Sequence, residues 1–376
     1  MKKKLLLLLL ITCVLITTII GCSKFEQETP ATGEQVGATN PPEASQPKAP
    51  ESMTKVFTDS VGRKIEVPAE ITRIVPSGAT AQMVLFALAP DLFVGVSSDW
   101  SKEAEQYINT KYYQLPVLGQ FYGSGDLNLE QIAKADPQVI IDIGESKKSV
   151  AEDMDGIMKQ VGIPTVHIEA TTETMPEAYR TLGKLLNREE KAEELAKYCE
   201  EIYGKTLDIM KQVGENGKTN LLYLAGEDGL NVIAKDTFHA EILDIVSNNL
   251  AVVENPSSKG TGTPVDMEQL LLWEPDTIIF APNSAYGNVD KNPAWKELSA
   301  ISNGKYYEVP FGPYNWMGHP PSVNRYIGMV WITQLLYPDV AQYDMQKETA
   351  RYYKLFYDCD LTDAQYKALV TNSVFK

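Results

Sequence analysis

The sequence predicts an α/β protein of two Rossmann-like lobes joined by one long α-helix. Three observations carry that expectation. First, a phrase recurs: residues 127–142 read LNLEQIAKADPQVIID and residues 265–280 read VDMEQLLLWEPDTIIF. Glu130 aligns with Glu268, Gln131 with Gln269, Pro137 with Pro275, and Ile140–Ile141 with Ile278–Ile279. Second, short β-branched runs alternate with helical stretches in both halves, the pattern of parallel α/β units. Third, residues 188–213 hold no strand-like run. There Ala192, Leu195, Ala196, Cys199, Ile202, Tyr203, Ile209, Met210 and Val213 recur at three- and four-residue spacing among Glu and Lys. That stripe predicts one amphipathic helix, roughly 39 Å long at 1.5 Å per residue, serving as a strut.

The elements follow in order. MKKK, then LLLLLLITCVLITTII, then IIGC is a basic segment, an apolar segment and a small residue before Cys22. Residues 1–21 read as a secretory leader. The apolar run falls short of the roughly 20 residues a membrane span needs. The Gly-Cys ending resembles a lipobox, which makes Cys22 the lipidated mature N-terminus. Residues 22–54 are rich in Pro, Ala, Thr, Glu and Gln, with too little to bury to offset the entropy of ordering. They are expected to form a tether of on the order of 30 Å root-mean-square. The expected location is therefore extracytoplasmic and lipid-anchored, on the outer face of a single membrane or in a periplasm.

Residues 55–187 are expected as the first lobe. RIVPSG (73–78) reads as a strand and turn, ATAQMVLFALA as a helix, and LFVGVSS (92–98) as a second strand. PQVIIDIG (137–144) and IPTVHIEA (163–170) are further strands, with SVAEDMDGIMKQVG between them as a crossover helix ended by Gly162. After the strut (188–213), residues 214–376 repeat the plan. KTNLLYLAG (218–226), PDTIIFAP (275–282) and KYYEVPFG (305–312) read as strands, and TFHAEILDIVSNN as a helix opened by Thr237.

Composition excludes several classes. The formal charge of −16 becomes −19 once Lys2, Lys3 and Lys4 leave with the leader. So acidic a body repels nucleic acid and lacks the polybasic patch of a peripheral membrane binder. Only Cys199 and Cys359 remain in the body, too few for a disulfide framework. Whether they pair is open at this point.

Residues 55–98 carry a family pattern. Asp59, Gly62, Arg63, Pro68, Arg73, Ile74, Val75, Ser77, Ala87, Leu88 and Gly95 resemble the opening of the solute-binding proteins that serve iron-complex and cobalamin ABC importers. The resemblance covers roughly residues 55–345 and departs at Gly78, often Pro in the family, and Gln82, often Glu. It implies the class III periplasmic-binding fold with its helical backbone, no cofactor, and a bound metal chelate as cargo. It also implies that Glu130 and Glu268 dock into Arg-lined pockets of an ABC permease dimer, where paired charges would set orientation. The plainer reading of both is an exposed helix glutamate. A monomer is expected.

In open α/β sheets, ligands sit beyond the carboxyl ends of the strands. That rule selects Ser77, Trp100 and Tyr122 from the first half, and His239, Tyr286, Tyr314, Trp316, His319 and Arg325 from the second. Aromatics suit a flat chelate or macrocycle, and Trp100 and Tyr122 would face Tyr314 and Trp316 across it. Ser322 would cap a helix carrying Arg325, a setting for an anionic group. Each has a plainer alternative: Tyr314 and Trp316 plug a lobe edge, Arg325 pairs with a structural carboxylate, His319 caps a turn. His167, His239 and His319 would together hold a bare transition metal. Singly, His239 or His319 would be an axial or direct ligand to a chelated metal.

The leading expectation is a binding protein delivering a ferric siderophore, haem or cobalamin to an importer. A molybdate- or tungstate-type oxyanion or a bare metal ion is the alternative cargo. A lipid-anchored hydrolase needs a nucleophile beside a base, and no G-x-S-x-G, H-E-x-x-H or Walker loop is present. A surface adhesion or scaffold protein has no need of matched footholds.

Overall fold

The computed structural model describes residues 53–121 and 127–374, so the expectations for Cys22, the leader, the tether up to residue 52, and Tyr122 lie outside the described residues; Thr54, expected as the last tether residue, instead opens the first strand. The first described elements are an antiparallel hairpin, β1 (Thr54–Thr58) and β2 (Lys64–Pro68). Its turn is fixed by Asp59, whose Oδ1 accepts from the backbone of Val61 and Arg63. Then come β3 (Ile74–Pro76), α1 (Ala79–Leu88), α2 (Leu129–Ala135), β4 (Val139–Gly144), α3 (Val150–Val161), β5 (Thr165–Glu169) and α4 (Met175–Leu186). The strands form a parallel sheet in the order β3-β4-β5. Gly162 ends α3 in the left-handed conformation, φ 71°.

One expected strand is not a ladder. The 92–98 run touches its neighbours only at single bridges, Phe93 with Ile74 and Val96 with Val117. The run bends at Val94, and at Gly95 an added Cβ would stand 2.5 Å from Leu118. It therefore meets two different partners at one residue each.

The strut is α5 (Glu189–Val213), with the predicted stripe inward. It packs closely on α4, because a Cβ at Gly183 would lie 2.5 Å from that of Ala192. The second lobe follows with β6 (Asn220–Ala225), β7 (Asn231–Val232), α6 (Glu241–Val246), β8 (Asn248–Asn249), β9 (Thr263–Pro264) and α7 (Met267–Trp273). Next are β10 (Thr277–Phe280), the single turns α8 (Pro293–Lys296) and α9 (Ser299–Ser302), and β11 (Tyr306–Glu308). The chain closes with α10 (Asn324–Leu336), the short α11 (Pro338–Ala341), α12 (Met345–Tyr357) and α13 (Asp363–Leu369). Sheet order is β11-β10-β6-β7-β9 with β8 also beside β6. Thr237 does not cap α6: a 3-10 turn, Phe238–Ala240, intervenes, and Asn248–Asn249 pair with β6 instead of only stopping the helix.

The repeated phrase folds twice into one unit. α2 and α7 each span seven residues and are capped by Asn128 and Asp266, which accept from Gln131 N and Gln269 N. Each ends on a left-handed residue, Asp136 (φ 47°) and Glu274 (φ 46°), and runs on through proline into a strand. Ile132 and Leu270 point inward, while Glu130 and Glu268 are exposed.

The lobes are not held apart. One apolar core runs from β3–β5 through α1, α4 and α5 into α6, α10 and α12, with a smaller cluster on the outer face of each sheet. Polar bonds join the halves as well: Ser322 Oγ to Thr80 O (3.2 Å), Tyr326 OH to Thr172 O (2.6 Å), and Thr172 Oγ1 to Glu241 Oε2 (2.8 Å).

Candidate functional site

The cleft lies where the ends of β3 and β4 face the segments after β7 and β11. Two adjoining hollows of about 420 and 390 Å³ share Thr80, Asp142, Ile143, His239 and Pro321. Ser77–Ala81 and Gln120 line one, Glu145, Lys147, Val150 and Asp153 the other, and His319 and Phe238 close the far side. A larger hollow of about 510 Å³ sits between the ends of α1 and α12, away from every strand end.

Two histidines dominate the second-lobe wall. The rings of His239 and His319 are 6.4 Å apart between centroids. The buried Nδ1 of His239 has no hydrogen-bond partner among the described residues. Burial, and after it the Arg325 charge, holds His239 below the usual histidine value, with the Gly318 backbone pulling the other way. Enclosure also lowers His319, whose ring lies against Gly260 on one edge and reaches water on the other. Both therefore favour the neutral form that ligates metals. Gly260 leaves a cradle between them: a Cβ there would stand 2.2 Å from His319 Nδ1 and 2.9 Å from His239 Cε1.

The first-lobe wall is the start of α1. Gly78 at its N-cap provides no side-chain bond, so the helix N-terminus, which favours negative charge, opens on the hollow. Ser77 is at this wall, its hydroxyl donating to Asp142 Oδ1 at 2.5 Å. Asp142, Glu145 and Asp153 make the adjoining hollow acidic, with Lys147 paired to Glu145 at 3.1 Å.

Other expected cleft residues lie elsewhere. Trp316 is 1% exposed and donates Nε1 to Tyr353 OH at 3.4 Å, within the core under α12. Tyr286 packs on Phe280 and Tyr306 inside the second lobe. Trp100 and Tyr314 do come from opposite lobes, but they pack on each other with ring centroids 6.1 Å apart, and the Phe86 and Trp100 centroids are 4.9 Å apart. This contact closes the interface and is no slot for a flat ligand. Burial pushes the Tyr314 phenol well up, and Gln82 reaches its hydroxyl at 3.5 Å.

Arg325 is 2% exposed and turned away from the hollow. It donates to Glu241 Oε2, Phe238 O and Thr172 Oγ1, and its guanidinium stacks 4.5 Å from the Phe238 ring. It pairs with a structural carboxylate. Ser322 does not cap α10, since its hydroxyl crosses to Thr80 O. His167 does not join the other histidines: Nδ1 bonds Asp142 Oδ2 at 2.6 Å on the α3 side of the sheet. Among the described residues no group of three or more His, Cys, Asp or Glu gathers to hold a metal. Cys199 and Cys359 are free thiols, and burial pushes Cys199 up.

Asp142 was not expected at the site. A signal existed: it is the polar residue in VIIDIG, where the second copy of the phrase has Phe280 in TIIF.

The family model for periplasmic binding proteins matches residues 83–312. The chain belongs to that family. The Fe(3+)-citrate-binding protein YfmC of Bacillus subtilis is 28% identical over 189 residues, 48% of this chain and 56% of that protein. The chain thus matches little more than half that relative's length. The substrate-binding lipoprotein YvrC of the same organism is 22% identical over 73% of this chain and 84% of its own. An ABC transporter solute-binding protein from Sulfurospirillum deleyianum superposes with a TM-score of 0.78 at 28% identity, covering 84% of this chain and 99% of its own.

Proposed function

We propose that this chain is the extracytoplasmic solute-binding protein of an ABC importer and that its cargo is a metal chelate. The paired histidines carry this reading. Two imidazoles bound to one metal at about 2.1 Å per bond have centroids up to roughly 6.5 Å apart, and His239 and His319 stand at 6.4 Å. A pair supplies two ligands, so the remainder of the coordination sphere would arrive with the chelator. The open α1 N-terminus across the hollow suits a carboxylate of that chelator. The relative named for Fe(3+)-citrate supports the same class of cargo. The same α1 N-terminus also suits a small oxyanion, the second reading.

Glu130 and Glu268, displayed by twin helices, are the proposed footholds on a two-fold permease, and Cys22 the proposed lipid anchor. No enzymatic turnover is part of this proposal.

The test is titration with ferric citrate, haemin, cobalamin and molybdate, followed by Trp fluorescence and visible absorption. Ferric citrate or another chelate should bind, and His239→Ala with His319→Ala should weaken it at least about tenfold. Binding of molybdate alone, indifferent to both histidines, would replace the chelate by the oxyanion.

A further inference from the structure

Five side chains outside the histidine pair form one unbroken polar row at the ends of β3, β4 and β5. Ser77 Oγ donates to Asp142 Oδ1 (2.5 Å), and Asp142 Oδ2 meets His167 Nδ1 (2.6 Å). His167 Nε2 meets Ser146 Oγ (3.2 Å), and Ser146 Oγ lies 3.0 Å from Glu169 Oε2. Ring register explains the row: Asp142 and His167 are directly paired across β4 and β5. The sequence flagged His167 only as a metal-ligand candidate, a role the row leaves it no free nitrogen to play.

Donor counting decides its state. An ionised carboxylate only accepts, and a serine hydroxyl has one proton to give. Glu169 is exposed and takes the Ser146 proton, so Ser146 can then only accept from His167 Nε2–H. Asp142 already accepts from Ser77 and has Oδ2 left for Nδ1–H. Every contact is satisfied when the ring carries both protons. With a neutral ring donating at Nδ1, Ser146 must give its proton to Nε2 and set two acceptors face to face at Glu169.

The charges around the ring agree. Asp142 faces it from β4 and Glu169 lies two residues on in β5. Asp59, from the β1–β2 turn, accepts from its backbone N–H at 3.3 Å. Arg63 of the β1–β2 hairpin is spent on Asp59 and on Asp155 of α3. Glu145 and Lys147 of the β4–α3 segment pair with each other, and Asp153 of α3 faces the hollow.

We infer that His167 is a positioning residue: as an imidazolium it fastens Asp142 in the cleft floor and, through Ser146, the segment 144–149 that forms the cleft wall. Asp142, Gly144, Glu145 and Lys147 all line the hollow, so one proton beneath the sheet sets the shape of the first-lobe wall. Loss of that proton would free Ser146 and loosen the segment. The inference takes the cleft to be the cargo seat, as proposed above, yet the ring's state is measurable with no cargo present.

The chain contains three histidines, so full-length protein labelled with ¹⁵N-histidine gives three rings, and His167→Gln assigns the relevant one. Long-range ¹H–¹⁵N correlation should find both His167 nitrogens protonated at about pH 7, where a free histidine is mostly neutral. A bare Nε2 at that pH overturns the inference, and is the arrangement of a base beside a serine nucleophile. Hydrogen exchange supplies the second readout. Protection of the Ala170 and Val150 amides, which bond Gly144 O and Lys147 O at the two ends of the segment, should fall on the order of tenfold in His167→Gln, the worth of one charged hydrogen bond, with α10 amides unchanged. Ser146→Ala should loosen the same amides, because it removes the link between the ring and the segment. Unchanged protection in both variants also overturns the inference. Failure of chelate binding in the titrations above touches only the proposed cargo.

Discussion

Replacing Arg325 by Met should cost stability and leave the cargo site in place. The guanidinium is 2% exposed and donates to Glu241 Oε2, Phe238 O and Thr172 Oγ1. Removing one partner of a buried ion pair typically costs about 3–5 kcal/mol, because the other charge is stranded. Two features reduce that here. The Glu241 side chain is 26% exposed, and it keeps three contacts from Thr172, the backbone N at 3.2 and 3.3 Å and Oγ1 at 2.8 Å. Arg325 also has a buried Nε with no partner among the described residues, a standing penalty that Met removes. Burial drives the guanidinium below its usual value while Glu241 pulls it back up, so part of the pair's attraction is already consumed by desolvation. The expected net loss is about 2–3 kcal/mol. Urea unfolding of Arg325→Met, Glu241→Gln and the double variant would measure it, the double losing less than the sum of the singles. A loss under about 0.5 kcal/mol, the scale of a neutral surface change, refutes the structural role. So does lost chelate affinity at unchanged stability, which would return Arg325 to the ligand.

Gly260→Ala should abolish chelate binding while shifting the unfolding midpoint little, since its methyl would fall between the two histidine rings; retained affinity would mean the cargo sits elsewhere. Gly328→Ala gains about 1 kcal/mol of helix propensity but sets a Cβ 2.1 Å from Trp316 O, so thermal unfolding should show a net loss of about 1–2 kcal/mol. The Arg351 side-chain hydrogen bond lowers the Glu201 carboxyl from its usual value, so the pair's stabilisation is present above about pH 4.3 and fades as acid protonates Glu201. Glu201→Gln should therefore cost about 0.5 kcal/mol at neutral pH and progressively less as the pH is taken down through the lowered carboxyl value, both groups being about half exposed. Reversing charge at Glu130 and Glu268 together should halt chelate uptake by cells while leaving binding and stability intact; unimpaired uptake removes the docking role.

What could be read from the chain alone was whatever periodicity or repetition encodes. The stripe from Ala192 to Val213 has a single solution as a helix, and it forms from Glu189. The doubled phrase exposed its caps and proline stops twice, and both copies fold alike. Gly162 announced the end of α3 by the same local chemistry. The cleft was less legible, because strand ends tell which loops approach it and not which way a side chain turns. Trp316 and Arg325 lie in the expected segment but point into the core, one toward Tyr353 and the other toward Glu241. Those partners are distant in sequence, and no local pattern names them. Trp100 and Tyr314 were expected to grip a guest and instead grip each other, because the two lobes share a core that composition does not reveal. His239 and His319 are in reach of one another through Gly260, a residue with no motif to mark it.

The closing helices carry a consequence for how the molecule is made. Tyr353 of α12 sits edge-on to Tyr107 at 5.1 Å, Phe356 meets Tyr198 at 5.4 Å, and Gln365 of α13 donates to Gln106 O. The first lobe and the strut are thus covered by residues that lie about 150 to 260 positions later in the chain. Contacts of such long range slow folding, and a growing chain that stops short of Tyr357 leaves aromatic faces of the first lobe bare. Nascent protein of this kind cannot mature lobe by lobe; it must be kept from aggregating until α12 and α13 have been made.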